Sequence, residues 1–280
     1  MYQFIERPNL PENRVRVVLA GEKYLDALRL DRVGIEGIGV KASPDLDEPV
    51  ASHADMQVVH LHRSVFLTAS VENCKGEKLY MQDLDKLLCK VNKLVKYNNF
   101  VTVFRGSTRL VSVYPRCAAY NILLLGNLAV FNPKCIDRKL REKLISLCYY
   151  PVFVKQGFTR CSVCIVNERA VITADVGIAG ALKENGIDVL VIRPGFIELP
   201  GYDTGFIGGA SFKLSPEMLA FTGRLDVHPD WKDIKLFLKK YRMDYMFLSD
   251  RVAFDMGTAI PILEEKPQRP VLSENSNYTK

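Results

Sequence analysis

The sequence predicts an α/β fold, a five-bladed propeller of ββαβ repeats around a central cavity. Three observations point there. Four stretches share one pattern, two short apolar strands joined by a tight polar turn. Amphipathic helical segments follow those pairs. The two chain ends carry complementary halves of a further unit.

Taken in order, Val15–Leu19 reads as a second strand, followed by a helix around Tyr24 to Arg32 and a third strand near Ile35 to Val40. The first complete pair is Met56 to Leu61, a turn at His62-Arg63, and Ser64 to Thr68. The second is Tyr120 to Leu125, turning at Gly126-Asn127 into Leu128 to Asn132. The third is Cys161 to Val166, turning at Asn167-Glu168 into Arg169 to Thr173. The fourth is Gly208 to Leu214, turning at Ser215-Pro216-Glu217 into Met218 to Thr222. Polar turns between short β-branched and aromatic runs are the hairpin signal. With Thr68, Asn132, Thr173 and Thr222 as equivalent positions, the spacings are 64, 41 and 49 residues, the range of an internal repeat. An insertion around Glu72 to Tyr80 and a longer helix account for the widest gap.

Helices fall where the repeat needs them. Leu84, Leu87, Leu88, Val91, Leu94 and Val95 follow the spacing of one buried helical face. Leu140, Leu144, Ile145 and Cys148 do the same after an Asp137 cap. Ile178, Ala181 and Leu182 lie between Asp175 and Gly186, and Trp231, Ile234, Leu238 and Tyr241 follow Pro229-Asp230. Ala259–Leu263 supplies the first strand missing from the N-terminal unit. Residues 1–264 therefore form one expected domain, a ring closed by its two terminal strands, with 265–280 a polar tail.

Composition narrows the class. The 280 residues are 48% hydrophobic and 25% charged, as in a globular protein, with a net charge of +6. The lysines at 86, 90, 93 and 96, and at 232, 235, 239 and 240, recur at helical spacing among apolar residues. They read as solvated helix faces, and nucleic acid is not an expected partner. No apolar run is long enough to span a bilayer, and the start lacks the features of an export signal. No membrane partner and a cytoplasmic location are the expectations. Seven cysteines in such a chain are expected to be reduced thiols. Cys161-Ser162-Val163-Cys164 has no second CxxC to complete a zinc site, and Gly208-Gly209 lacks a dinucleotide fingerprint; neither metal nor cofactor is expected.

Superposed repeats bring the residues at each first-strand start to the central axis. These are His53-Ala54-Asp55, Arg116-Cys117, Arg160-Cys161, Asp203 with Gly208-Gly209, and Asp255-Met256-Gly257. A thiol, an imidazole, carboxylates and glycines round one cavity suit nucleophilic attack on an amidine-type carbon. The thiolate attacks, the imidazole transfers protons, and the carboxylates hold the cation. Cys161, His53 and Asp55 are the candidate catalytic residues. Asp203, Gly208, Gly209, Asp255, Arg160 and Cys117 are candidates for binding a small-molecule ligand. The spacing leaves open whether Cys117 or Cys161 is the reactive thiol. It equally leaves open a ring that binds a ligand or a partner without chemistry.

Fivefold ββαβ repeats with an H-x-D element and a mouth cysteine resemble the pentein superfamily of guanidine-modifying enzymes. The segments His53–Gln57, Thr159–Ile165 and Gly205–Ser211 are similar to an uncharacterised bacterial family of that fold. The resemblance covers most of residues 13 to 263. It implies a hydrolase or transferase acting on a guanidino or amidino compound, with His53 and Asp55 as the proton-transfer and guanidinium-binding pair. In the deiminases the nucleophilic cysteine follows a Gly-Gly element in the last repeat. Here Gly208-Gly209 leads into Ala210-Ser211 and no cysteine follows Cys164, so Cys161 would serve from a neighbouring repeat. The resemblance also admits a non-catalytic partner-binding ring like the ribosome anti-association factor.

Overall fold

The computed structural model describes residues 2–70 and 101–267. The expected helix through Leu84 to Val95, the insertion at 72–80 and the tail beyond 267 lie outside them. Sixteen strands are described: β1 (Tyr2–Phe4), β2 (Val15–Gly21), β3 (Glu36–Val40), β4 (Val58–His62), β5 (Val65–Ser70), β6 (Thr102–Arg109), β7 (Leu123–Leu125), β8 (Leu128–Phe131), β9 (Tyr150–Phe153), β10 (Val163–Asn167), β11 (Ala170–Thr173), β12 (Asp188–Val191), β13 (Ser211–Ser215), β14 (Met218–Phe221), β15 (Asp244–Phe247) and β16 (Ile260–Glu265).

They form five small sheets. In β4-β5-β6, β7-β8-β9, β10-β11-β12 and β13-β14-β15 the first strand pairs antiparallel with the second, and the second parallel with the third. The remaining sheet has the order β1-β16-β2-β3, so that β16 from the C-terminal end pairs antiparallel with β2 and β2 runs parallel to β3. The buried Glu264 carboxylate fixes this junction by accepting from the Gln3 side chain and from the Glu12 and Asn13 backbone N–H groups.

Strand alternation explains the core. Along β10, Val163 and Ile165 pack with Leu123, Leu125 and Val130 of the preceding sheet, whereas Cys164 and Val166 pack with Leu219 and Phe221 of the following one. The same division recurs at every junction. Leu61 and Leu67 meet Leu124 and Phe131; Phe212 and Leu214 meet Val18 and Ala20; Val17 and Ile262 meet Val58 and Phe66. Each sheet is thus wedged between its two neighbours, and the short strands are apolar on both faces for that reason.

Helices cross from second to third strand. Asp137 caps Arg138–Ser146 by accepting from Leu140 N at 2.9 Å, and Asp175 caps Val176–Glu184 by accepting from Ile178 N at 2.8 Å. Trp231–Lys240 follows Asp230, whose carboxylate is engaged by Arg193 rather than by the helix. The helix expected over Tyr24 to Arg32 is broken. A single α-turn, Leu25–Leu28, ends at Arg29 with φ +47°, and a 3-10 turn, Leu30–Val33, follows. Among the described residues no helix is long and apolar enough to cross a membrane.

The first strands begin two or three residues later than the sequence pattern predicts. Ala54–Met56 and Arg116–Ala118 are 3-10 turns, Thr159–Ser162 is one helical turn, and Ile207–Ala210 is a turn, each ahead of its strand. Their residues are apolar or buried because they sit at the centre of the ring, not because they are extended. Cys161 and Cys164 consequently do not share a strand. Cys161 lies on the helical turn, and Cys164 lies on β10 in the wedge facing the fourth sheet.

Candidate active site

The central turns bond to one another. Thr159 N donates to Asn121 O at 3.3 Å, Gly209 N to Cys161 O at 2.9 Å, Met256 N and Thr258 N to Gly209 O at 3.1 and 3.0 Å, and Asp55 N to Gly257 O at 3.4 Å. This chain of backbone bonds fixes side chains from widely separated sequence positions around one point.

Cys161 is the best-held of them. Its thiol donates to Asp55 Oδ2 at 3.0 Å and accepts from Asn121 Nδ2 at 3.0 Å. The Asn121 amide oxygen in turn accepts from the backbone N–H groups of Arg160 and Cys161, at 2.9 and 3.2 Å. Asn121 therefore ties the orientation of the thiol to that of its own helical turn. His53 Nδ1 faces Asp255 Oδ1 at 3.9 Å, and its Nε2 is buried without a hydrogen-bond partner in the protein. Asp255 is fixed by Phe206 N on one oxygen and Gly257 N on the other, both at 2.9 Å. One ring nitrogen of His53, the Cys161 sulfur and a carboxylate oxygen of Asp255 all lie within 4.8 Å of one another.

Burial dominates the protonation states. It pushes the Cys161 thiol well above its ordinary pKa, reinforced by the Asp55 and Asp255 charges. It raises Asp55 to about 7, with the Cys161 hydrogen bond pulling the other way. It lowers His53, against the attraction of Asp255. The unliganded site thus holds a neutral thiol and a neutral imidazole near pH 7. Asp55, hydrogen-bonded to that thiol, is able to gain or lose a proton there.

His53, Cys161 and Asp255, all buried, form the floor of a cavity of about 160 Å³, with Asp55 behind the thiol. Val50, Met56, Phe158 and Phe206 make apolar walls, and Asp47, Cys117 and Tyr202 also border it. A pocket with a few convergent polar groups on an otherwise apolar lining is the usual form of a small-molecule site. His53, Cys161 and Asp255 also offer nitrogen, sulfur and oxygen donors suited to a borderline divalent ion with an open position.

Of the residues singled out in the sequence, His53, Asp55, Cys161 and Asp255 come together and Cys117 borders the same cavity. Four others stand differently. Asp203 is exposed on the loop after Pro200 and borders a neighbouring outer depression with Phe196, Glu198 and Val227. It follows that loop outwards, whereas the central turn of its unit begins at Ile207. Arg160 is buried behind the site, its guanidinium donating to Asn9, to the Val163 and Gly208 carbonyls and to Thr258. It is a scaffold cation that offsets Asp55 and Asp255. Gly208 packs on the carbonyls of Arg160, Cys161 and Val163, and Gly209 on the Asp255 carboxylate, so both serve close packing within the ring. Sequence reasoning misses Asn121, Asp47 and Tyr202. Asn121 is legible in retrospect as the polar residue ahead of the apolar run Ile122–Leu125, the position at which the other units carry their central turns.

Five small sheets around such a cavity make a pentein-type fold. Solved structures similar to the chain include SxtG, a saxitoxin-pathway amidinotransferase from Microseira wollei (9% identity, TM-score 0.53, 87% of this chain and 91% of that one). The C. jejuni agmatine deiminase with substrate bound is 7% identical, with a TM-score of 0.53 over 96% of this chain and 98% of that one. A mutant of the DDAH from Pseudomonas aeruginosa, complexed with citrulline, is 7% identical, with a TM-score of 0.51 over 84% and 92%. No curated protein matches by sequence. Residues 23–260 match the Family of unknown function (DUF6873), and the chain belongs to that family.

Proposed function

We propose that the protein is a cysteine-dependent enzyme that breaks a C–N bond in a guanidino or amidino small molecule. The carrying observation is the convergence of the Cys161 sulfur, a His53 ring nitrogen and an Asp255 oxygen within 4.8 Å on the floor of one cavity. The names of the similar structures, amidinotransferases and a deiminase among them, support the same chemistry.

In this reading the planar cation lies against Asp255, whose two oxygens keep acceptor capacity beyond their backbone bonds. Its positive charge relieves the repulsion that holds the thiol protonated, and the Cys161 proton passes to Asp55 along their hydrogen bond. The sulfur bonds to the amidine carbon. The C–N bond then breaks as the proton that Cys161 gave up is handed on through His53 to the departing nitrogen, leaving an S-linked amidinium on Cys161. Water or an amine displaces the sulfur, which recovers its proton. Attack by water makes the reaction a hydrolysis, and attack by an amine makes it an amidino transfer.

A ring that binds the same cations without chemistry is the second reading, favoured by the raised thiol pKa in the unliganded protein. Alkylation separates the two. Chloroacetamidine carries the amidinium, and chloroacetamide is its neutral counterpart. With rates normalised to free cysteine, the amidine is expected to modify Cys161, traced by peptide mass spectrometry, at least about tenfold faster, because only the cation lowers the thiol pKa. Equal normalised rates remove the nucleophile, and the binding reading replaces it.

A further inference from the structure

The cavity that holds Cys161 is lined by two carboxylates, one buried and one exposed. At the floor stand Asp255 and, behind the thiol, Asp55. At the mouth stands Asp47, whose carboxylate accepts from the Tyr202 hydroxyl at 3.4 Å. Asp47 precedes the short helix Glu48–Ala51 but makes no side-chain capping bond to it, so the helix does not occupy its oxygens. Burial raises both the Cys117 thiol and the Tyr202 phenol, and the Asp47 charge adds to both shifts, in keeping with the Asp47–Tyr202 contact. The rest of the lining is largely apolar, with Val50, Met56, Phe158 and Phe206 beside the hydroxyls of Ser112 and Thr204. Among the described residues that line this cavity, none is a lysine or arginine.

A buried acid and an exposed acid on one largely apolar cavity match a molecule with a cation at each end and methylenes between. We propose that the substrate is an amine-tailed alkylguanidine or alkylamidine, its amidinium at Asp255 and its terminal ammonium at Asp47, with Tyr202 positioning the Asp47 carboxylate. This rests on the guanidino reading of the site and adds the identity of the far end. A guanidino acid presents a carboxylate to Asp47 and is disfavoured by like charge. Asp47 is solvent-exposed, so its effect is moderate and screened by salt.

The test measures protection of Cys161 from chloroacetamidine by three compounds that share a four-carbon chain. These are butylguanidine, 4-aminobutylguanidine and 4-guanidinobutanoate. At low salt the amine-tailed compound is expected to protect at about a fivefold lower concentration than butylguanidine, and the acid to protect least. The advantage shrinks at high salt as the Debye length contracts. In Asp47→Asn, which removes the charge and keeps the shape, the three compounds converge while butylguanidine itself is unchanged. Equal protection by butylguanidine and its amine-tailed analogue in the wild type overturns the inference and leaves the guanidino reading standing. So does a uniform loss for all three in Asp47→Asn. If butylguanidine gives no protection at all, the guanidino reading fails and this inference falls with it.

Discussion

Replacing Asp55 by asparagine isolates the electrostatic cost of building this site. The Asp55 carboxyl is buried, and burial raises its pKa from 3.8 to about 7, with the Cys161 hydrogen bond opposing and the Asp255 charge reinforcing the shift. Between those two values the folded protein keeps a proton that the unfolded chain has released. Stability therefore falls as pH rises from about 4 to about 7 and is level above that. A shift of about three pH units, at about 1.36 kcal/mol each, makes the total loss on the order of 4 kcal/mol. The amide introduced by Asp55→Asn has no charge to bury and retains an oxygen able to accept from the Cys161 thiol, so this dependence vanishes in the variant. The assay is urea unfolding of both proteins between pH 4 and 9, read as the difference in unfolding free energy so that every other titrating group cancels. The variant is expected to gain on the wild type steadily between pH 4 and 7, by an amount on the order of 4 kcal/mol. A difference that does not change with pH would mean that Asp55 titrates alike in both states, and the account of the site's electrostatics would be wrong.

Two further substitutions test the ring itself. Gly209→Ala would drive a methyl into the Asp255 carboxylate, whereas Gly180→Ala on an exposed helical turn meets nothing. Urea midpoints should show the first destabilised by several kcal/mol and the second stabilised by up to about 1 kcal/mol, and a well-tolerated Gly209→Ala would contradict the packing. Asp137 accepts from Leu140 N, from Ser107 N and Oγ and from Thr108 N; burial pulls its pKa up, but these bonds outweigh burial and hold it below 3.8. Its contribution is present above about pH 4 and lost as pH falls below that. Asp137→Ala should therefore cost about 3 kcal/mol at pH 7 and progressively less in acid, and a pH-independent cost would exclude the carboxylate as its source.

The repeat is legible in the sequence because a wedge-packed ring imposes a local rule on every unit, two short strands apolar on both faces and a polar turn between them. Thr68, Thr173 and Thr222, equivalent by spacing, are all fully buried on or just past second strands, and Thr173 and Thr222 send their hydroxyls to the Ser162 and Phe254 carbonyls. The strand starts mislead for an equally local reason. Burial at the ring centre makes Met56, Tyr120 and Cys161 look like strand residues, although each precedes its strand. Asp203 is misplaced by the pattern because the spacing of a carboxylate from Gly208-Gly209 says nothing about the path of the loop between them. Asp47 and Tyr202 are beyond the reach of repeat spacing, since neither lies on a central turn.

The placement of the thiol follows from the ring rather than from any one unit. Equivalent turns face a common point, so a cysteine on any of the five could reach the cavity floor. What sets Cys161 apart is its neighbours. The preceding unit supplies Asn121, which grips both the sulfur and the backbone of the turn, and the following unit supplies Gly209, whose N–H holds the Cys161 carbonyl. His53, Asp55 and Asp255 come from the other two units, across the axis. Cys117 lies on the central turn of the second unit yet lacks these arrangements. It borders the cavity with Asp47 and Tyr202, and burial and the Cys135 and Asp47 charges raise its pKa. Between the two cavity thiols, the proposed function therefore assigns the chemistry to the one held on both sides and faced by His53. Chloroacetamidine should accordingly distinguish them, with modification concentrated on Cys161 and Cys117 reacting no faster than with chloroacetamide.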